Sequence, residues 1–226
     1  MHNKNSLNRI ALLAGAMLLT SIPAAANAIT FDGYHFASLY GPENLTLDGG
    51  GNLVVPTTAS DYGGAATALP GGTVIVAASF LDSGLATGPS AELWVQDLSA
   101  TPSYEAALGA FTGDADYFVL YRVNGVNSSF LDTGVLRTAG THSAEIEQLG
   151  NGTVDFFLDN SLVGAATAAQ FGIPVFKDVV LTANGSAAGQ QATFTMFTSA
   201  TPEPSSALYL FCGAAILAGL LLRKSA

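Results

Sequence analysis

Short apolar runs alternate with Gly, Asn and Asp along most of the chain. Between residues 29 and 200 no segment has the apolar periodicity of an amphipathic helix of three turns, and no unit of 20–50 residues repeats. Brief β-branched and aromatic runs bounded by turn residues are typical of a β-sandwich. We therefore predict an all-β domain, a two-sheet jelly roll built from short strands.

Turn residues divide this pattern into strands. Asp48-Gly49-Gly50-Gly51 and Asn124-Gly125 both suit hairpin turns, and Asp159-Asn160 also reverses the chain. The glycine-rich run 61–72 is predicted to be loop, 99–113 a helical turn or loop, and 165–172 a short helix. Strands are predicted at residues 29–36, 44–47, 52–55, 73–80, 91–96, 117–123, 126–130, 134–138, 142–149, 153–158, 161–164, 179–183 and 191–198.

The first 28 residues have the three parts of a secretory signal peptide. Lys4 and Arg9 make a basic start, residues 10–22 are apolar, and Ala26-Asn27-Ala28 fits a cleavage site. We expect cleavage after Ala28, with the folded body at residues 29–200.

Residues 201–226 form a second targeting segment. Pro202-Glu203-Pro204 precedes sixteen uncharged residues, 207–222, and the chain then reads Arg223-Lys224-Ser225-Ala226. As a helix the apolar run is about 24 Å long, slightly less than the roughly 30 Å of a bilayer core. We predict a single transmembrane helix whose basic end, Arg223 and Lys224, stays cytoplasmic.

This order of Pro-Glu-Pro, apolar helix and basic end resembles the PEP-CTERM sorting signal of exported proteins in Gram-negative bacteria that make exopolysaccharide. The resemblance implies an exosortase as partner, which cleaves near Pro202, Glu203 and Pro204. It also implies transient anchoring in the inner membrane, facing the periplasm, followed by transfer to the cell surface or the extracellular space.

The body is strongly acidic. The chain has 17 acidic and 7 basic residues; Glu203 and four of the bases lie in the terminal segments, which leaves 16 against 3 and a net charge of about −13. Nucleic-acid binding needs clustered Lys and Arg, so this class of partner is excluded. The only cysteine, Cys212, lies in the tail, so the body has no disulfide.

A second resemblance lies in residues 142–164. The run from His142 to Leu149, then Val154-Asp155-Phe156-Phe157-Leu158-Asp159-Asn160 and Leu162-Val163, resembles the concanavalin-like lectin/glucanase fold. The resemblance implies a carbohydrate ligand, and glucanases of this fold carry their acids on a Glu-x-Asp-x-Glu strand.

Glu145 and Glu147 are the candidate catalytic pair. Residues i and i+2 of a strand share a face, so the two carboxylates could serve as acid and nucleophile of a glycoside hydrolase. Leu149 occupies the third position of the pattern. The alternative interpretation is a solvated outer face opposite Ile146.

Two further sites are weaker. Asp114 and Asp116 could supply oxygen ligands to Ca²⁺; the alternative is an ordinary polar loop. Tyr62 and Trp94 could stack on sugar rings, although Trp94 between Leu93 and Val95 also fits a core position. We expect no other cofactor.

The sequence therefore predicts an exported surface or matrix protein, structural or carbohydrate-binding and associated with exopolysaccharide. Two alternatives remain: a polysaccharide-active hydrolase on the same fold, and a structural or adhesion protein without a ligand.

Overall fold

The protein folds into two antiparallel β-sheets that pack face to face. The computed structural model describes residues 28–39, 44–57, 62–100, 102–167, 175–185 and 190–201. The strands in chain order are β1 (Ala28–Phe31), β2 (Tyr34–Ser38), β3 (Thr46–Leu47), β4 (Leu53–Pro56), β5 (Tyr62–Ala68), β6 (Ile75–Ser83), β7 (Ser90–Asp97), β8 (Tyr104–Ala110), β9 (Asp116–Val123), β10 (Val126–Leu136), β11 (Ala139–Gln148), β12 (Val154–Leu158), β13 (Ser161–Ala166), β14 (Asp178–Asn184) and β15 (Gln191–Ala200).

One sheet has eight strands in the order β1-β2-β5-β14-β7-β8-β9-β10. The other has seven, in the order β13-β12-β11-β6-β15-β4-β3. Strands distant in sequence are neighbours in both sheets, as in a jelly roll. The predicted all-β, two-sheet sandwich is confirmed.

The core lies between the two sheets and is built from alternate strand positions. Val154, Phe156 and Leu158 of β12 face it from one sheet, and Leu93 and Val95 of β7 face it from the other. Period-2 alternation places every second side chain on the same face of a strand. Each sheet therefore also has an outer face, turned away from its partner sheet.

Two of the three predicted hairpin turns are confirmed by their backbone angles. Asn124 and Gly125 have φ of 55° and 70° and join β9 to β10, while Asp159 and Asn160 have φ of 49° and 63° and join β12 to β13. Two consecutive positive φ values define the type I′ turn that matches the twist of paired strands.

The prediction of a loop at 61–72 is wrong for its first part, because β5 occupies Tyr62–Ala68. Its small residues are required by close packing: a Cβ on Gly63 would lie 1.8 Å from the carbonyl oxygen of Pro56. Glycine and alanine here allow two segments to approach each other closely. From the sequence alone, the same residues indicate a loop.

Three further predictions are corrected. The single strand predicted over 29–36 is the hairpin β1–β2, reversed at Asp32-Gly33, where both φ values are positive. Tyr104–Ala110 is strand β8 and not a helical turn, because it fills the gap between β7 and β9. In the segment predicted as a short helix, Ala165 and Ala166 extend β13, and residues 168–172 lie outside the described part.

The predicted signal peptide (1–28) lies outside the described residues except for Ala28, which begins β1. The predicted sorting signal from Pro202 onwards, with Arg223 and Lys224, also lies outside them. Within the described ranges, no helix is long and apolar enough to cross a membrane.

Candidate functional site

The outer face of the eight-stranded sheet carries buried polar side chains in its middle. Strand register aligns this face into rows that run across β14, β7, β8 and β9. The rows are Asp178–Gln96–Glu105–Arg122, then Val180–Trp94–Ala107–Leu120, then Thr182–Glu92–Gly109–Phe118. A layer of apolar and aromatic side chains thus separates two polar rows.

The central row is a small hydrophobic cluster separate from the core. Trp94 is 3% exposed and packs with Val180, Ala107 and Leu120, and with Phe118 of the next row. Phe111 lies edge-on to Phe118 with ring centroids 5.9 Å apart, and Phe130 stacks on Phe118 at 5.2 Å. Of the two interpretations of Trp94, the packed position therefore agrees better with the structure than the exposed sugar-stacking position.

Glu92 lies fully buried beside Trp94 and has three donors. Trp94 Nε1 donates to Glu92 Oε2 over 2.7 Å, Thr182 Oγ1 donates to the same oxygen over 3.0 Å, and Asn184 Nδ2 donates to Oε1 over 3.4 Å. Gly109 is the cross-strand partner, and a Cβ there would lie 2.6 Å from Glu92 Cα. β7, β8 and β14 thus build this position jointly.

Burial raises the pKa of the Glu92 carboxyl, although the hydrogen bonds from Trp94, Thr182 and Asn184 and the charge of Arg122 oppose the shift. A carboxyl with a raised pKa exchanges protons closer to neutral pH. Such groups cluster at functional sites, although buried structural networks produce them too.

Glu92→Gln is expected to change how stability depends on pH. Because the pKa of Glu92 is raised above its usual 4.5, the folded wild type binds this proton more tightly than the unfolded chain. The wild-type free energy of unfolding therefore falls as pH rises from 4.5 towards the raised value, by up to about 1.4 kcal/mol per pH unit for one group. The amide does not titrate, so the variant gains stability relative to wild type across that window. Urea denaturation at successive pH values measures the difference; a pH-independent difference would contradict the assignment.

The row Asp178–Gln96–Glu105–Arg122, here called the rim row, lies at one end of the sheet. Gln96 and Arg122 are the penultimate residues of β7 and β9, and Asp178 begins β14. Arg122 Nη1 is 3.3 Å from Glu105 Oε2, and its guanidinium lies 5.0 Å from the centre of the Trp94 ring. Both members of this ion pair are buried.

Two polar atoms of the rim row are buried without a hydrogen-bond partner, Gln96 Oε1 and Arg122 Nε. Burial raises the pKa of Glu105 despite the charge of Arg122, and burial together with the charge of Asp97 raises that of Asp178. An unsatisfied buried polar atom costs stability and requires an explanation.

The acids Glu92 and Glu105 of this face lie in different rows. Glu92 and Glu105 are separated by two rows along the strands and one strand across, or about 14 Å between Cα atoms at standard strand spacing. The alternate positions of β7 are Glu92, Trp94 and Gln96, so only the first is acidic.

Glu145 and Glu147 lie on the opposite side of the molecule, on the outer face of the seven-stranded sheet. Ile146 between them points into the core. Partial burial and then the charge of Glu147 raise the pKa of Glu145. The structure therefore places the two carboxylates on one face, with Asp155 of β12 directly opposite Glu147.

Asp114 and Asp116 flank the start of β9. Burial raises the pKa of Asp114, and the charges of Asp132 and Asp116 add to that effect. Among the described residues no three His, Cys, Asp or Glu side chains are arranged to hold a metal ion.

Tyr62 begins β5 opposite Asn184, and its side chain lies outside what the structure describes. The sequence interpretation missed Glu92, Gln96, Glu105 and Arg122. A signal existed: β7 alternates apolar core residues with Ser90, Glu92, Trp94 and Gln96, although an outward-facing polar position is normally solvated.

No protein-family model matches the chain, and no curated protein matches it in sequence. Solved structures do. A β-glucanase of Bacillus licheniformis superposes with a TM-score of 0.55 at 14% identity, over 74% of this chain and 92% of that one. A β-1,3-1,4-glucanase (lichenase) from a mouse hindgut metagenome gives 0.55 at 15%, over 77% and 96%. The Crh5 transglycosylase in complex with NAG gives 0.55 at 12%, over 80% and 86%. Identities this low establish the fold alone: the described body is the concanavalin-like jelly-roll sandwich.

Proposed function

We propose that this is an exported protein of the cell surface or extracellular matrix that binds polysaccharide through the outer face of its eight-stranded sheet. The predicted signal peptide at 1–28 supports its export. Its release or transfer by an exosortase follows from the resemblance of residues 201–226 to the PEP-CTERM signal. Exopolysaccharide is the polymer that the protein would then meet at the cell surface or in the extracellular matrix.

The observation that carries the binding role is the set of buried polar groups on that face. Glu92, Gln96 and Arg122 each lie at a position where an apolar residue of similar volume would be more favourable for stability alone. Buried ionisable groups with shifted pKa values cluster at functional sites, and Glu92 is such a group.

Binding is favoured over hydrolysis on this face because neither the row of Glu92 nor the neighbouring row of Trp94 holds a second acid. Glu92 is the single acid among the alternate positions Glu92, Trp94 and Gln96, and Glu105 is about 14 Å away by strand spacing and paired with Arg122. A glycosidase needs a second carboxyl within reach of the same bond.

A hydrolase using Glu145 and Glu147 is the alternative function. The raised pKa of Glu145 is the observation in its favour, because a general acid must hold its proton near neutral pH. It would place the chemistry on the seven-stranded sheet, opposite the face proposed for binding.

The test uses the exported protein, purified after expression of the full chain. Affinity electrophoresis through gels containing mixed-linkage β-glucan, β-1,3-glucan, cellulose derivative, α-glucan or polyuronate measures binding, with and without chelator. We expect retardation by at least one polymer and no release of reducing ends. A protein that no polymer retards would contradict the binding role and favour the ligand-free structural or adhesion alternative.

The same material tests the other two parts. Release of reducing ends that is lost in Glu145→Gln and in Glu147→Gln would establish the hydrolase instead. Deletion of residues 202–204 is expected to leave the protein in the membrane fraction, whereas equal release of wild type and deletion would contradict exosortase processing.

A further inference from the structure

His142 of β11 has an oxygen acceptor at each of its two ring nitrogens. Nδ1 lies 2.8 Å from Asp159 Oδ2 in the β12–β13 turn, and Nε2 lies 2.9 Å from the backbone carbonyl oxygen of Thr138. A carbonyl oxygen accepts hydrogen bonds and does not donate them. Both nitrogens are therefore satisfied only when each carries a proton, which is the imidazolium form.

The Asp159 carboxyl is ionised in this arrangement. Burial would raise its pKa, but hydrogen bonds from His142 and from the backbone N–H of Ser143, together with the charge of His142, hold the pKa below its usual value. Asp159 Oδ1 accepts the Ser143 N–H over 2.8 Å. Asp159 Oδ2 thus has no proton of its own, so the ring nitrogen must supply the proton of their hydrogen bond.

A bend at the start of β11 brings the Thr138 carbonyl to the ring. Four residues of extended strand would span about 13 Å, yet Thr138 O and His142 Nε2 are 2.9 Å apart. Gly140 between them has φ of 146°, in the region that favours glycine. Arg137, the residue before Thr138, is held by its ion pair with Asp82. The carbonyl therefore belongs to an anchored segment.

The other neighbours of the imidazole are uncharged rings. Those of Tyr117 on β9 and Phe80 on β6 pack against it, at 5.5 and 6.2 Å between ring centres. Burial and the charge of Asp82 raise the pKa of Tyr117, so its hydroxyl stays neutral. Asp82 itself is paired with Arg137. In the described part of the chain, the one charged group that contacts the imidazole is thus the carboxylate of the β12–β13 turn.

We propose that His142 is a proton-dependent latch, which as imidazolium ties the β12–β13 turn at Asp159 to the start of β11 at Thr138 and opens when one ring proton is lost. The two hydrogen bonds exist together only in the protonated form. Their contribution to stability is therefore present in acid and is lost as the pH rises. The latch does not depend on the polysaccharide-binding role, because it lies at the end of the sandwich and involves none of the groups proposed to bind.

NMR of the histidine ring nitrogens tests the latch directly in the exported protein. Only His35 and His142 of the three histidines lie in the body, so the signals are assigned with His35→Gln. We expect both nitrogens of His142 to carry protons at neutral pH and one of them to lose its proton as the pH rises. A bare His142 nitrogen at neutral pH would overturn the proposal.

Two variants separate the acceptors. In Asp159→Asn the residue still suits the positive φ of the turn and still accepts from Ser143, but its amide can donate to Nδ1, so the neutral ring satisfies every bond and should replace imidazolium. Thr138→Val removes only the hydroxyl, which lies 3.2 Å from Nε2, and should leave both ring protons in place. A ring proton lost in Thr138→Val would contradict the carbonyl as the acceptor.

Urea denaturation measures the same latch through stability. In mildly acidic solution Asp159→Asn should raise the unfolding equilibrium constant about tenfold over wild type, the effect of one hydrogen bond between charged groups. The difference should vanish as the pH passes the point at which NMR shows the ring proton leaving. His35→Gln is the matched control, because His35 Nδ1 faces the Thr30 hydroxyl, which can donate or accept. An effect of Asp159→Asn that is the same at every pH would show that Asp159 only shapes the turn and would overturn the latch.

Discussion

Arg137→Met is expected to lower the free energy of unfolding by about 3–5 kcal/mol, the typical cost of leaving a buried charge without its partner. The Arg137 side chain is 0% exposed, and it holds Asp82 through two hydrogen bonds, Nη2 to Oδ1 at 2.7 Å and Nε to Oδ2 at 3.0 Å. Urea denaturation at neutral pH measures the loss directly.

Arg137 also ties together loops from both sheets. Its Nη1 donates to the carbonyl of Phe111 over 3.2 Å and its Nη2 approaches that of Pro89 at 3.5 Å, so the loops after β6 and β8 meet on one guanidinium. Burial would raise the pKa of Asp82, but hydrogen bonds from Arg137 and Gly84 outweigh it and hold the pKa below its usual value. Without Arg137 the carboxyl would bind a proton more readily, so the cost of the substitution should shrink as pH falls.

Lys177→Met is the matched control, because it also removes one partner of an ion pair. Lys177 is 53% exposed, and Asp97 keeps hydrogen bonds from Ser99 and Ala100 when the ammonium is gone. Its expected cost is below about 1 kcal/mol. Equal costs for the two substitutions would mean that the Arg137–Asp82 pair is not the buried clamp described, and adding Asp82→Asn to Arg137→Met should recover part of the loss.

The sheets could be predicted where local chemistry and tertiary packing agree. Asn124-Gly125 and Asp159-Asn160 are favourable at positive φ on their own, so their hairpins follow from four residues. β5 could not be predicted, because Gly63 is there for a close approach to Pro56, a segment whose position only the folded sheet defines. Local propensity reads such glycines as turns.

The candidate site was harder to predict for a related reason. Glu92 finds its donors at Thr182 and Asn184, some ninety residues along the chain, and only the pairing of β14 with β7 brings them together. Trp94 could be proposed from the sequence because of its residue type. Its hydrogen bond to Glu92 could not be predicted. Glu145 and Glu147 were visible since their spacing alone places them on one face.

The two outer faces of the sandwich therefore differ in how their charged side chains are stabilised. On the seven-stranded sheet, the carboxylates Glu145 and Glu147 remain half-exposed and need no partners. On the eight-stranded sheet both charged groups are buried, a state that desolvation opposes. Glu92 depends on specific hydrogen-bond donors, and Arg122 depends on the Glu105 carboxylate as its acceptor. The polymer-binding and hydrolysis experiments should therefore show which of the two faces contacts carbohydrate.

Trp94→Ala is expected to cost about 3–5 kcal/mol of unfolding free energy, in the range of large aromatic truncations at buried positions. The substitution opens a void in the central row next to Val180, Ala107 and Leu120. It also removes the 2.7 Å hydrogen bond to Glu92 and the ring beneath the Arg122 guanidinium. Chemical denaturation at neutral pH measures the loss.

Trp94→Phe separates the polar part of this effect from the packing part. The ring is kept, but the Glu92 carboxylate loses its shortest donor, which should cost about 1.5–3 kcal/mol when that group is charged. Because the lost bond favoured the charged form, the pKa of Glu92 rises further above its usual value, so the cost should be small in acid and grow as pH rises. Phe156→Ala, in the main core with no carboxyl partner, should cost about 3–5 kcal/mol without that added pH dependence. A Trp94→Phe variant with the same cost at every pH would show that Trp94 supports this face by packing alone and does not hold the Glu92 charge.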